Sequence, residues 1–497
     1  MAQNTLAPGT GALPIDLSVI LRSPRMLQGM HKWPFEAAFQ SILRMFVLMR
    51  ATSFCKAVVP LRVFRIPSER LYPGRRAYAQ GGTEALNPAI VIPSYWAADD
   101  RPRSIGEVGT YDHATPVGKP MPELETCLES LEKVRGVLRV IVLLVAEPEC
   151  EESARARVTS ICRTHPNLSP VIVGEPEARH IEDTVNAIAP DVEGDPVALR
   201  GYGAIRNMGL AVAAVLGHDI VVFLDDDEVA LDENFLIDAV YGLGNVNRQD
   251  IAIDAKSGFF IDRADSCFAD EDHPRWSDRY WAKRSEFNQW MRAAQQATRI
   301  SRSNYVCGGC FAVHANAFTQ VGFDPYITRG EDMDYLINMR MHGREVWFDN
   351  QWYVRHLPPE IPSHASRFLQ DVYRWTYEYE KVRFTNTQHD LRVITRQSLE
   401  PYPAPWLSRE VFDRIRKTSF RRALAEPEHL AYLRIWLKGR NDAQRWAKDH
   451  AKAYLEFQTF WPRIMASLWD DEDLAEKVLA TGTPASRKGR QDGRTEH

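Results

Sequence analysis

Four consecutive acids, Asp225-Asp226-Asp227-Glu228, follow directly on the apolar run Ile220-Val221-Val222-Phe223-Leu224. Carboxylates packed this closely repel one another, so a hydrophobic core gains nothing from them. In open α/β sheets ligands gather beyond the carboxyl ends of the strands, which places such a cluster for a cation or a ligand. An Asp-x-Asp pair supplies the hard oxygen donors that Mg²⁺ or Mn²⁺ accepts while keeping substrate phosphates in its shell. A solvated acidic loop capping the next helix would use the same residues. Other reactive groups stand on either side. Arg206-Asn207 opens a helical stretch, where the planar guanidinium either pairs with phosphate oxygens or solvates the helix. Glu331-Asp332 begins another, where an acid either accepts a proton or complements the helix dipole. His356 follows the last strand-like run and is either a ligand or a solvated side chain. Cys307-Gly308-Gly309-Cys310 has the spacing of a redox pair or half a zinc site, but no second Cys/His pair stands at ligand spacing, so it reads as two packed thiols.

The elements that must hold these groups show in the apolar pattern. From about residue 86, short apolar runs alternate with helical stretches, the mark of an α/β domain with a largely parallel sheet. Strands are expected at 89–92, 137–145, 170–173, 220–224, 251–253 and 345–348, and helices at 121–134, 204–216 and 332–342, the last stopped by Gly343. After Pro358-Pro359 the strand signals cease and helical spacing continues to about residue 480. Upstream, Phe35, Phe39, Ile42, Phe46 and Met49 fall four, three, four and three apart, one stripe of a helix over 34–49. Core packing is the reading adopted for it, and a membrane-surface helix is the alternative. The expected division is a helical extension over 1–85, a catalytic α/β domain over 86–362, a helical region over 363–480 and a disordered tail over 481–497.

Composition narrows the function. The 497 residues carry 66 acids against 61 Lys and Arg, a formal charge of −5, so the totals give no electrostatic case for nucleic acid. Seven cysteines, odd in number and irregularly spaced, are not a disulfide framework and suit a reducing compartment. The N-terminus lacks the basic and apolar regions of a secretory signal. The most apolar region, 42–64, is interrupted by Arg44, Arg50, Lys56 and Arg62 and cannot supply an uncharged span of about 20 residues. The expectation is a cytoplasmic protein, at most peripheral to a membrane.

In order and approximate spacing, these groups resemble the family 2 type of GT-A glycosyltransferases. The pattern opens with a strand ending Ile92-Pro93-Ser94-Tyr95, passes through Ile205-Arg206-Asn207 and Asp225-Asp226-Asp227, and closes with Gly322-Phe323-Asp324, Glu331-Asp332 and His356. The resemblance spans residues 86–358. It implies a GT-A fold, Rossmann-like with a mostly parallel sheet flanked by helices, and metal-dependent transfer of a sugar from a UDP- or GDP-sugar to a hydroxyl of a saccharide or other acceptor. Pro93 and Tyr95 would lie beside the base, with Glu147 in place of the Asp that often holds it. Arg206 and Asn207 would lie near the ribose or diphosphate, and Asp225 and Asp226 beside the nucleotide sugar. Asp225, Asp227 and His356 would surround a divalent ion, Mn²⁺ or Mg²⁺. Asp332 would deprotonate the acceptor hydroxyl beside Glu331, with Glu331 and Asp334 raising its proton affinity, and the acidic pair favours inversion. A retaining enzyme of the same fold and a sugar nucleotidyltransferase are the alternatives.

Three features lie outside this pattern. The stretch 96–122, between the first strand and its helix, reads as a lid or acceptor wall. Trp276, Tyr280, Trp281 and Trp290 form either part of an acceptor pocket or a closed core edge. Gln370-Asp-Val-Tyr-Arg374-Trp375 is similar to the Gln-x-x-Arg-Trp motif of processive polysaccharide synthases, with one residue too many. Those synthases are embedded in membranes by their own helices, so here it is read as a coincidental Trp-bearing helix.

Overall fold

The computed structural model describes residues 86–99, 114–271, 275–359 and 363–484. The expected helix at 34–49, the rest of the extension to 85, the tail from 485 and residues 100–113 of the insertion lie outside the described residues. Everything described belongs to one compact unit, within Leu71–His497.

Ten strands form a single sheet: β1 (Pro88–Ala97), β2 (Thr115–Pro116), β3 (Val140–Ala146), β4 (Pro170–Val173), β5 (Ile220–Phe223), β6 (Glu228–Val229), β7 (Ala255–Ile261), β8 (Ile300–Arg302), β9 (Phe311–His314) and β10 (Trp347–His356). Their order is β4-β3-β1-β5-β9-β7-β10-β6, with β2 on β1 and β8 on β10. The β4-β3-β1-β5 half is parallel, as is β10 with β7. Strand β9 runs antiparallel between β5 and β7, and β6 and β8 run antiparallel to β10. The helices are α1 (Glu123–Leu131), α2 (Glu151–Thr164), α3 (Glu175–Ile188), α4 (Tyr202–Val215), α5 (Phe235–Val240), α6 (Lys283–Gln295), α7 (Ala315–Phe318), α8 (Glu331–Met341), α9 (His364–Thr385), α10 (Glu410–Ala425), α11 (His429–Arg434), α12 (Arg440–Leu468) and α13 (Glu472–Gly482). This is the mixed α/β architecture expected, a mostly parallel sheet flanked by helices.

The near-continuous apolar runs of β1, β3 and β5 follow from burial on both faces, because alternate side chains of a strand point to opposite sides. Ala89, Val91, Ile141, Leu143, Val221 and Phe223 enter a core shared with α3, α4, α8 and α12. Ile90, Ile92, Val140, Val142, Ile220 and Val222 enter another, shared with α1 and α2. Helix α4 lies so close to the sheet that a Cβ on Gly209 would stand 2.7 Å from Val91 Cγ1. A third core joins α6, α9 and α10 around Trp281, Trp375 and Trp406.

Two strand expectations change. Residues 251–253 make only an isolated bridge, Val246 to Ala252, and the strand proper starts at Ala255. The last strand does not stop at 348 but continues to His356 through the polar Asp349-Asn350-Gln351. Asp349 is tolerated inside the sheet because Lys256 and Arg299 neutralise it, at 3.0 and 3.2 Å. A polar residue satisfied by a distant partner hides a strand from a reading of apolar periodicity.

Candidate active site

The acids after β5 do not act as one group. The chain leaves β5, and two residues of β6 turn back to pair antiparallel with the end of β10, Glu228 opposite His356. Leu357 N donates to Asp227 O at 2.8 Å. This pairing sets His356 Nε2 3.2 Å from Asp227 Oδ2, joining residues far apart in the chain. The His356 ring rests edge-on against Phe260 of β7, 5.1 Å between centroids.

Asp226 faces the other way. Ser94 Oγ, at the carboxyl end of β1, donates to its Oδ2 at 2.7 Å and accepts from Trp96 Nε1 at 2.9 Å. Burial, and then Asp227 beside it, push the Asp226 carboxyl well above the usual carboxylate range. Asp225 accepts from Arg206 Nη2 at 2.8 Å, and the Nε of the same guanidinium reaches Glu331 Oε1 at 3.2 Å. Arg206 therefore ties the strand-end acid to the start of α8, with its guanidinium 5.0 Å over the Phe223 ring. Burial pushes the Glu331 carboxyl up against the pull of Arg206.

The two acids at the head of α8 differ in access. The Glu331 side chain is 9% exposed and held by Arg206, whereas that of Asp332 is 25% exposed. Asp332 Oδ1 accepts from Met333 N at 2.7 Å and lies 4.0 Å from Arg374 Nη2. Gly330, which leads into the helix at φ +74°, leaves room for that arginine, since a Cβ there would sit 2.0 Å from the Arg374 Cζ. Asp334 does not act on Asp332 as expected. It is fully buried, with both oxygens 2.8 Å from Lys381 Nζ, which also binds Asp324 at 2.6 Å, so its charge is answered from α9.

The remaining expected residues divide in the same way. Pro93 and Tyr95, paired with Leu143 and Val145, stand at the carboxyl ends of adjacent strands, and Glu147 follows β3 and accepts from Ala98 N at 3.2 Å. Asn207 is fully buried, and its amide is spent on the backbone: it donates to Pro196 O and Phe323 O and accepts from Phe323 N. It fixes the Gly322-Phe323-Asp324 turn. Trp281 and Trp290 are buried and close a core edge, whereas Trp276 is exposed.

Sequence reasoning missed three contributors. Ser94 holds Asp226 of the cluster. Arg374, set aside with its motif, stands beside Asp332, while Trp375 is buried against Trp406 and offers no face to a sugar. The Cys307–Cys310 turn matters for its glycines more than its thiols. Both cysteines are free and buried, but a Cβ on Gly309 would fall 1.8 Å from Glu228 Oε2, and one on Gly308 would fall 3.0 Å from Arg206 Nη2 and 3.5 Å from Asp332 Cβ. A Gly-Gly pair in a tight turn is the available signal for such close approach.

A family model described as "Glycosyltransferase like family 2" matches residues 127–378, just over half of the chain. The chain belongs to this family. The matched stretch of this glycosyltransferase contains Glu147, Arg206, the acid cluster, Glu331-Asp332, His356 and Arg374. Solved structures similar to it include the mannosyltransferase PcManGT from Pyrobaculum calidifontis in complex with GDP-Man and Mn²⁺, 14% identical over 88% of this chain and 96% of that one, TM-score 0.39. GalNAc-T7 with UDP, GalNAc and Mn²⁺ is 13% identical over 80% and 68%, TM-score 0.34. Glucosyl-3-phosphoglycerate synthase from Mycobacterium tuberculosis, with Mn²⁺ and UDP-glucose, is 15% identical over 58% and 79%, TM-score 0.30. No curated protein matches the sequence. Among the described residues of the glycosyltransferase, no helix is long and apolar enough to cross a membrane.

Proposed function

We propose that this glycosyltransferase transfers a sugar from a UDP- or GDP-sugar to an acceptor hydroxyl, with inversion, assisted by Mn²⁺ or Mg²⁺. The observation that carries the reading is the link from Asp227 and His356, through Asp225 and Arg206, to Glu331 and Asp332 at one end of the sheet. Asp225, Asp227 and His356 are two hard oxygen donors and an imidazole, a set suited to either ion, and they would hold it. Among the described residues no three such groups converge as a ready cage, and the Asp227–His356 contact already brings two of the donors together. When bound, the ion would neutralise charge on the departing diphosphate.

The other roles follow from access. Pro93, Tyr95 and Glu147 would border the base, at the strand ends where α/β sheets bind ligands. Arg206 holds Asp225 and Glu331 in fixed relation and would also be the cation nearest the diphosphate. Asp226 and Asn207 would support the nucleotide sugar from behind, through Ser94 and the Phe323 turn. Asp332, the more exposed acid of the α8 pair, would take the acceptor proton as the new bond forms, since a general base must come within hydrogen-bond reach of the hydroxyl it serves. Glu331, engaged by Arg206, would orient that end of the helix.

The test is a panel of nucleotide sugars with Mn²⁺ and candidate acceptors, scored for free nucleoside diphosphate, with the product anomer read by NMR. Nucleoside diphosphate and an inverted anomer are expected. Pyrophosphate release would replace this reading with nucleotidyl transfer, and a retained anomer would remove Asp332 as the base.

A further inference from the structure

Helix α10 and the arm made by α11 and the π-helical turn Ile435–Gly439 that continues it form a hairpin, called α10–α11 below, whose inner side chains, Ile415, Tyr432 and Ile435 among them, fill the third core. A helix in that position needs one apolar stripe. This hairpin has a second, facing outward. Phe420, Leu424, Leu430, Leu433, Trp436 and Leu437 are each between 38% and 82% exposed, and the Phe420 and Trp436 rings lie 5.5 Å apart, so the two arms share one patch. Single exposed apolar side chains are ordinary, but six gathered on one hairpin mark an interaction surface.

The charge around the patch identifies what it meets. From Arg416 to Arg440 there are seven basic residues and two acids, in a chain whose overall formal charge is −5. Arg416, 3.7 Å from the exposed Asp413, stands one turn before Phe420 and two before Leu424 on the same stripe, and Arg434 and Lys438 are exposed among the leucines. The two acids are turned away and used: Glu426 by Arg275 and Ser277, and Glu428 by Ser363 and the backbone N–H of Ala365. Apolar side chains ringed by cations, with a tryptophan among them, match the boundary between acyl chains and anionic headgroups. A second copy of the chain would bring like-charged rims together across a two-fold axis.

We propose that the α10–α11 hairpin docks this enzyme on an anionic lipid surface, inserting the leucines, Phe420 and Trp436 while Arg416, Arg434 and Lys438 meet the headgroups. The experiment is pelleting of the full chain with vesicles of phosphatidylcholine mixed with phosphatidylglycerol, and with vesicles of phosphatidylcholine alone. Binding to the anionic vesicles, weakened by salt and much weaker on the neutral ones, is expected. The pair Arg434→Glu and Lys438→Glu should lower affinity about 30-fold, at about fivefold for each basic residue lost. Leu430→Asp with Leu437→Asp should abolish binding, and both variants should keep the wild-type melting profile because these side chains face outward. If the aspartate pair does not fold, the charge pair carries the test. Undiminished binding by the folded variants would overturn the proposal, as would absence of binding by the wild type. A dimer in sedimentation velocity that the variants dissociate, without vesicle binding, would assign the patch to a protein contact instead.

Discussion

Two acidic clusters in this molecule are built on opposite terms. Around Lys381, the carboxylates of Asp324 and Asp334 are fully buried and joined by Tyr377 and Asn338, whose hydrogen bonds occupy what the lysine leaves. Around Asp225–Asp227, four successive acids share Arg206, Ser94 and His356, and three of the four keep partial exposure. In the first cluster the counter-charge is built into the fold, one lysine shared by two carboxylates, so removing that partner damages the fold. In the second, negative charge is left concentrated at a strand end, where the divalent ion proposed above would answer it. Burial with an internal counter-ion suits a clasp, and an excess of carboxylate at the carboxyl end of a strand suits the proposed binding site.

The sharpest way to break this contrast is to empty the second cluster. EDTA, or Asp227→Ala, should reduce sugar transfer to background, with Mn²⁺ or Mg²⁺ restoring the chelated wild type but not the variant, while the unfolding midpoint stays near that of wild type. Full transfer in rigorously metal-free buffer would end the metal assignment. The clasp should respond the other way. Lys381→Met leaves two carboxylates buried without a cation and should cost about 3–5 kcal/mol of stability, measured by denaturant unfolding, because breaking a buried ion pair from one side is far costlier than deleting it whole.

How far the sequence reveals this contrast depends on what makes each contact. The acids after β5 announce themselves because an apolar run ends on them, and the strand ends at Tyr95 and Glu147 follow from the same periodicity. The clasp does not, because Asp324, Asp334 and Lys381 come from a turn and two helices, and only packing reveals that they meet. For the same reason Asp334 looks like a neighbour able to tune Asp332, and Asn207 like a ligand to the diphosphate. A side chain's type states what it can bond to, whereas its partner is fixed by tertiary structure. Ser94, two residues after the apolar run of β1, carries no mark that it will hold Asp226, and Arg374 reaches Asp332 only because α9 crosses the head of α8.

Smaller effects refine the picture. Asp332→Asn keeps the shape and removes the proposed base, so turnover should fall about 10²-fold, the usual scale for losing general-base assistance. Nucleoside diphosphate binding with Mn²⁺, followed by calorimetry, should be retained. Normal turnover would move the assignment to Glu331, and loss of nucleotide binding would place the acid with the metal. The smallest effect concerns pH and the clasp. Burial, only partly offset by Lys381, pushes the Asp334 carboxyl up to about 6. A raised carboxylate binds a proton in the folded state that the unfolded chain has already lost, so its cost is absent below about pH 4, grows up to about pH 6 and is complete above it. Asp334→Asn removes that cost. Its unfolding midpoint relative to wild type should therefore rise between pH 4 and pH 7, and a flat difference would show that Lys381 keeps Asp334 ionised throughout.

The pairing of β6 with the end of β10 also bears on how the enzyme comes into being. Asp227 leaves the ribosome long before His356, and at about 5–20 residues per second the intervening chain takes several seconds or more to appear. During that interval the parallel strands can assemble, but no imidazole stands beside Asp227. A nascent chain halted before residue 356 would carry only two of the three donors proposed for the ion, and Mn²⁺ affinity measured on stalled chains of increasing length should step upward only once the closing strand has emerged.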